Sequence, residues 1–190
     1  MRHIPNALCI LRILLVVPVA WLLSAGNYQL TLWLFAFAGF TDGLDGFLAK
    51  RFGWTSELGK ILDPLADKIL LVSVFITLAA LGIVPVWLAA TAVLRDVTIT
   101  AGAISYNALY GYPNGRPTLI SKINTGCQIL YLLLAVAAKA GPEMDVRVPD
   151  TALIVLGASV FVTTVVSGID YVVTYTRKAV AASRQQRGLA

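Results

Sequence analysis

Apolar runs recur along this chain, each about the ~20 residues that a helix needs to cross ~30 Å of hydrocarbon. They cover residues 7–25, 28–50, 58–82, 85–108, 118–139 and 150–176. Inside lipid a spanning segment must satisfy its own backbone hydrogen bonds, which a helix does. The pattern therefore predicts an all-α integral membrane protein of six transmembrane helices in one bundle. The connectors are too short to separate domains, so residues 1–190 read as a single transmembrane domain. Asn6, after a turn at Pro5, is placed to cap the first helix. Gly82 to Pro85 reads as an uncharged turn, and Tyr110 to Thr118 as a longer, turn-rich loop.

Composition agrees with a bilayer. Hydrophobic residues make up 58% and charged residues 13%, against about half and about a quarter in soluble domains. The first run begins after Met1-Arg2-His3 and ends at Ser24-Ala25-Gly26, as a cleaved signal would. Arg12 and Pro18 interrupt it, however, and it is long for a signal, so it reads as a retained helix. No Arg- and Ser-rich transit segment precedes it, which favours a bacterial inner-membrane protein.

The net charge of +5 informs through its placement. With six spans, one side holds Arg2, Lys50, Arg51, Lys60, Arg116, Lys122, Arg177, Lys178, Arg184 and Arg187. The other holds Lys139 and Arg147, offset by Glu143, Asp145 and Asp150. The positive-inside rule then puts both termini in the cytoplasm. Basic residues that follow topology in this way give no reason to expect a nucleic-acid partner. Cys9 and Cys127 each stand alone in an apolar run and read as buried thiols. His3 is the sole histidine, which excludes chemistry that needs a catalytic pair of them.

Charge inside the runs is rarer and says more. Arg12, Lys68 and Arg95-Asp96 lie within spans, where ionisable groups face the bundle interior and usually serve function. Arg95 and Asp96 point ~100° apart on a helix and need not pair with each other. They suit either an interhelical ion pair or support for nearby carboxylates.

Four aspartates, Asp42, Asp45, Asp63 and Asp67, fall within one short stretch of a chain whose acidic residues number ten in all. Asp42 and Asp45 are spaced i, i+3, and Asp63 and Asp67 i, i+4, so each pair shares a helix face. Four carboxylates aimed into one space need compensating charge, most economically divalent metal. Oxygen ligands without His or Cys suit magnesium or manganese rather than zinc. A divalent-cation pathway uses acids too, but these cluster near one face instead of threading the bilayer.

The full spacing is D-x2-D-G-x2-A-K-x8-G-x3-D-x3-D. It resembles the signature of the CDP-alcohol phosphotransferase family, membrane enzymes that make phospholipids. The family usually has Arg after the Ala, where this chain has Lys50 followed by Arg51. The resemblance implies two Mg2+ or Mn2+ ions on Asp42, Asp45, Asp63 and Asp67, with Asp67 as general base. It implies a cytidine nucleotide site at Gly46, Ala49 and Gly59, helped by Asp42, Asp45, Lys50 and Asp63. Arg12, Arg51, Arg116, Lys122 and Asn124 would hold phosphate or acceptor oxygens. Membrane lipid surrounds such enzymes, and homodimers are common among them.

Leu94-Arg95-Asp96 and Pro117-Thr-Leu-Ile-Ser-Lys-Ile-Asn-Thr125 resemble the family's cardiolipin synthases. Its phosphatidylglycerophosphate synthases typically carry Gly-Lys-x-Lys-Thr, where this chain has Ser121 and Asn124 for the Gly and the second Lys. Glycerol 3-phosphate, a small polyol-phosphate dianion, wants the extra cation; phosphatidylglycerol offers a hydroxyl beside a monoanionic diester. The resemblance thus implies transfer of a phosphatidyl group from CDP-diacylglycerol to phosphatidylglycerol, giving cardiolipin and CMP. The alternative acceptor is glycerol 3-phosphate. A phospholipase-D-like route to cardiolipin needs two histidines and is excluded.

Overall fold

The computed structural model describes the backbone of residues 4–52, 59–110, 118–144 and 147–188. Within these, side chains are described outside 4–9, 42–52, 59–65, 103–110, 142–143, 175 and 177–188. Six helices account for nearly all of it: α1 (Ile4–Ser24), α2 (Tyr28–Phe52), α3 (Gly59–Ala80), α4 (Val86–Tyr110), α5 (Leu119–Met144) and α6 (Asp150–Gly188). The described residues contain no strand.

Local chemistry sets the helix ends. Gly26 and Gly82 adopt φ of 76° and 71°, the left-handed conformation that ends a helix without a Cβ clash. After each, an amide reaches five residues back: Asn27 N–H donates to Leu22 C=O, and Ile83 N–H to Leu78 C=O, both at 2.9 Å. Asn27 then caps α2, its Oδ1 accepting from Leu30 N–H at 3.3 Å. Thr118 caps α5 likewise, its Oγ1 accepting from Ser121 N–H at 3.3 Å.

Two boundaries depart from the sequence reading. α1 starts at Ile4, so Asn6 lies inside its first turn rather than capping it; Pro5 suits a first turn, where its missing N–H goes unneeded. α6 continues to Gly188, well past the apolar run that ends near residue 176. Its tail of Ala, Arg and Gln keeps helical propensity after apolarity stops.

The helices pack as a ring. α1 lies against α2 and α3, α2 against α5, α5 against α6, α6 against α4 and α4 against α3, with α3 touching α5 across it. Among the described residues α2 and α3 do not meet; both rest on α1 and α5. Val19, Phe35, Leu70, Val74, Phe75, Leu88, Leu132 and Val160 fill the centre, so every helix contributes. Large apolar side chains also cover the outside, including Val17, Trp21, Trp33, Phe40, Leu94, Leu119 and Ile154. Meanwhile Arg12, Arg95, Asp96, Asn124 and Gln128 are buried. Polar groups inside and apolar groups outside invert the soluble pattern. Two helical stretches, Leu119–Gly141 and Asp150–Thr174, are long and apolar enough to cross a membrane among the described residues.

Candidate active site

Asp42 and Asp45 stand in the C-terminal half of α2, and Asp63 and Asp67 in the first turns of α3. The chain joins those two helix ends through residues 53–58, which brings both acid pairs to one end of the ring. Their helical backbone keeps each pair on one face. The side chains of Asp42, Asp45, Gly46, Ala49, Lys50, Arg51, Gly59 and Asp63 lie outside the described residues, as does the whole of Arg116. Carboxylates alone would offer an all-oxygen donor set, the kind that a hard divalent cation takes.

Asp67 is described, and it has a partner. Arg12 Nη1, from α1, donates to Asp67 Oδ1. Arg12 is buried while Asp67 keeps a third of its side chain exposed. The guanidinium therefore compensates the carboxylate from the protein interior. Arg12 is a fixed partner of the acid cluster rather than an arginine reaching out to headgroups.

The next residue turns the other way. Lys68 Nζ donates to Asp96 Oδ1 on α4 at 3.2 Å. Arg95 Nη1 donates to the same oxygen at 2.6 Å, so these neighbours on α4 do pair. Arg is long enough to fold back across the ~100° that separates adjacent positions. Arg95 Nη2 donates to Ser121 Oγ on α5 at 2.8 Å and also to Ser167 Oγ on α6. Arg12, Lys68 and Arg95 thus pair with the carboxylates of Asp67 and Asp96.

On α5, Lys122 is exposed and has no partner among the described residues. Asn124 is fully buried, with its Oδ1 accepting from Thr163 and Thr164 hydroxyls of α6, each at 2.9 Å. Its Nδ2, and the Nε2 of Gln128 one turn on, are buried donors without a partner among the described residues. Cys127 is half-buried and packs on the core as a free thiol. Cys9 lies outside the described side chains.

The structure thus joins Arg12 to Asp67 directly, and places Lys122 one residue from a serine bonded to Arg95. Sequence reasoning missed Gln128 and Ser167. Gln128 carried a signal, as a large polar residue within an apolar run; Ser167, small and common in helices, carried none.

Comparison with known proteins follows the same lines. A family model described as CDP-alcohol phosphatidyltransferase matches residues 2–175. The chain is similar to the cardiolipin synthase (CMP-forming) of Homo sapiens, 35% identical over 151 residues, 71% of this chain and 50% of that protein. It is similar to a probable phosphatidylglycerophosphate synthase of Mycobacterium tuberculosis, 31% identical over 177 residues, 90% of this chain and 80% of that protein. A CDP-diacylglycerol–glycerol-3-phosphate 3-phosphatidyltransferase of Pseudomonas fluorescens is 34% identical over 148 residues, 71% of this chain and 72% of that protein. The chain spans about half the length of the human and Drosophila melanogaster cardiolipin synthases it matches.

Proposed function

The chain belongs to the CDP-alcohol phosphatidyltransferase family, and from that premise we propose that it makes cardiolipin. The reaction takes the phosphatidyl group of CDP-diacylglycerol to the free hydroxyl of phosphatidylglycerol and releases CMP. The observation that carries the proposal is Asp67, backed by a buried arginine, within a chain that the family model matches over residues 2–175.

Chemistry assigns the roles. The acceptor hydroxyl oxygen bonds to the phosphorus that carries diacylglycerol. The bond from that phosphorus to the bridging oxygen breaks, and CMP leaves with its electron pair. Asp67 takes the hydroxyl proton, and Arg12 holds the Asp67 carboxylate in place from the protein side. Asp42, Asp45, Asp63 and Asp67 would hold two Mg2+ or Mn2+ ions, which supply neutralisation of the pyrophosphate and of the departing CMP. Gly46, Ala49 and Gly59 leave room for the cytidine ring. Lys122, exposed and uncommitted, meets an acceptor phosphate, with Lys50, Arg51 and Arg116 as further contacts.

Two features support phosphatidylglycerol as acceptor. Position 124, where the resemblance implies a lysine for glycerol 3-phosphate, holds a neutral amide engaged by two threonines. A lipid acceptor also suits a bundle whose outward face is apolar on all six helices. The second reading is a phosphatidylglycerophosphate synthase, favoured by the 90% of the chain that aligns with the mycobacterial relative. In either case all six helices cross the inner membrane of a bacterium, with both termini and the site facing the cytoplasm, and the enzyme is a homodimer.

The test is purified protein with CDP-diacylglycerol and Mg2+, offered phosphatidylglycerol or glycerol 3-phosphate, with products weighed by mass spectrometry. Cardiolipin and CMP are expected. Phosphatidylglycerophosphate would establish the second reading, and no CMP with any acceptor would refute both.

A further inference from the structure

We infer that Arg95 and Asp96 of α4 form a positioning pair, which sets the orientation of Asp67 on α3 and of Lys122 on α5 at once. The inference rests on the transfer reaction proposed above and deepens it. Neither residue is assigned a contact with substrate.

Asp67 and Lys68 are adjacent, so their side chains leave α3 about 100° apart. Arg12 draws the first toward α1, and Asp96 draws the second toward α4. One tie leaves a helix free to roll about its axis; two ties at different azimuths do not. The direction of the Asp67 carboxylate is therefore fixed partly by a bond that Asp67 does not make.

The same pair reaches α5. Arg95 Nη2 donates to Ser121 Oγ at 2.8 Å, and Ser121 immediately precedes Lys122. Ser167 of α6 accepts from the same nitrogen, which holds the guanidinium between two helices. Each of the two chemically active side chains, Asp67 and Lys122, thus has a sequence neighbour bonded to one buried dipeptide. Arg95 is 7% exposed and Asp96 6%, so bulk water screens their own pair little, while Lys68 keeps 30% of its side chain exposed. A buried charge that loses its partner is heavily penalised, which makes the hub resist distortion. Acceptor and base must approach within bond-making distance, where a misplacement of ~1 Å can lower the rate ~100-fold.

The experiment uses the full chain in liposomes with CDP-diacylglycerol, phosphatidylglycerol and Mg2+, and compares Lys68→Met, Asp96→Asn, their double variant and Lys68→Arg. Each single removal should lower kcat at least ~10-fold while KM for CDP-diacylglycerol stays within ~2-fold, the sign of lost alignment. The double variant should be no slower than the slower single variant, because both remove one interaction. Lys68→Arg, which keeps the ion pair, should retain at least about half of kcat. Ser121→Ala should raise KM for the acceptor alone. Elution and melting temperature near wild type certify the fold, and if Asp96→Asn fails that check, Lys68→Met and Ser121→Ala carry the comparison. Wild-type kcat in folded Lys68→Met, multiplicative losses in the double variant, or an unmoved acceptor KM in Ser121→Ala would overturn the inference. A wild-type protein that releases no CMP would overturn the functional reading, and the inference with it.

Discussion

Arg12 of α1 and Asp67 of α3 are joined side chain to side chain across 55 residues of sequence. The chain reverses twice between them, so α1 and α3 run in the same direction and their side chains meet. The guanidinium is 3% exposed and the carboxylate 33%, so this pair is neither a screened surface contact nor a sealed one. Arg12→Ala should cost about 2 kcal/mol, between surface and buried pairs, read as a lower melting temperature in detergent. Asp67→Asn keeps shape and hydrogen bonding but loses the base. It should melt near wild type and turn over at least ~100-fold more slowly. If it keeps near-full activity, the base lies elsewhere.

The carboxylate-only donor set predicts the metal response. Chelation with EDTA should abolish CMP release, and Mg2+ or Mn2+ should restore it, whereas Zn2+, which prefers nitrogen and sulfur, should restore little. Asp63→Asn should raise the Mg2+ concentration needed for half-maximal rate. Full activity in excess EDTA would remove metal from the mechanism.

The positions of the six helices were legible because the length of an apolar run is a direct physical measurement of what a helix must cover. The far end of α6 was not, since the apolar run stops near residue 176 while the helix continues past it. The family was legible in the spacing of the acids, which needs only one helix at a time. The partners of the charged side chains were not. Arg12 and Asp67 are 55 residues apart, and Arg95 and Ser167 are 72 apart, so only the packing of whole helices brings them together. Sequence could say that Arg12 and Asp96 must be neutralised inside the bundle, but not by which helix.

α4 and α6 meet closely at Gly102. A Cβ there would lie 3.0 Å from Tyr171 Cε1 and 3.2 Å from its Oη. Tyr171 Oη donates to Ile99 C=O at 2.7 Å, so the ring cannot step aside without giving up that bond. Gly102→Ala should therefore destabilise by about 1–3 kcal/mol through overpacking, despite alanine's better helix propensity. Tyr171→Phe should cost less, about 1 kcal/mol. A Gly102→Ala protein that melts above wild type would show the two helices to be further apart.

Gln128 offers a test of what the bundle interior holds. It is 1% exposed, and its Nε2 has no partner among the described residues. An unsatisfied buried donor costs about 1–3 kcal/mol, so an apolar side chain of similar volume should relieve it. Gln128→Leu is expected to melt at or above the wild-type temperature with unchanged CDP-diacylglycerol KM. A clear drop in melting temperature would mean that water or lipid satisfies the amide in the folded protein.

Acceptor choice turns on position 124. Asn124 Oδ1 accepts from Thr163 and Thr164, but the two threonines depend on it unequally. Thr163 Oγ1 also lies 2.7 Å from Ser159 C=O, a backbone acceptor that survives any substitution at 124. Thr164 is the one left stranded, so Asn124→Ala should lose about 1–2 kcal/mol from a single buried hydroxyl. Asn124→Lys adds the cation that a dianionic acceptor needs, two residues along α5 from Lys122. The ratio of kcat/KM for glycerol 3-phosphate over phosphatidylglycerol should rise at least ~10-fold, even if total activity falls, because specificity is a difference of two affinities. The measurement is product mass from both acceptors in one tube, so that a partly unfolded sample lowers both products equally and leaves the ratio meaningful. An unmoved ratio in a folded Asn124→Lys protein would detach acceptor choice from this residue, and with it the charge argument for phosphatidylglycerol.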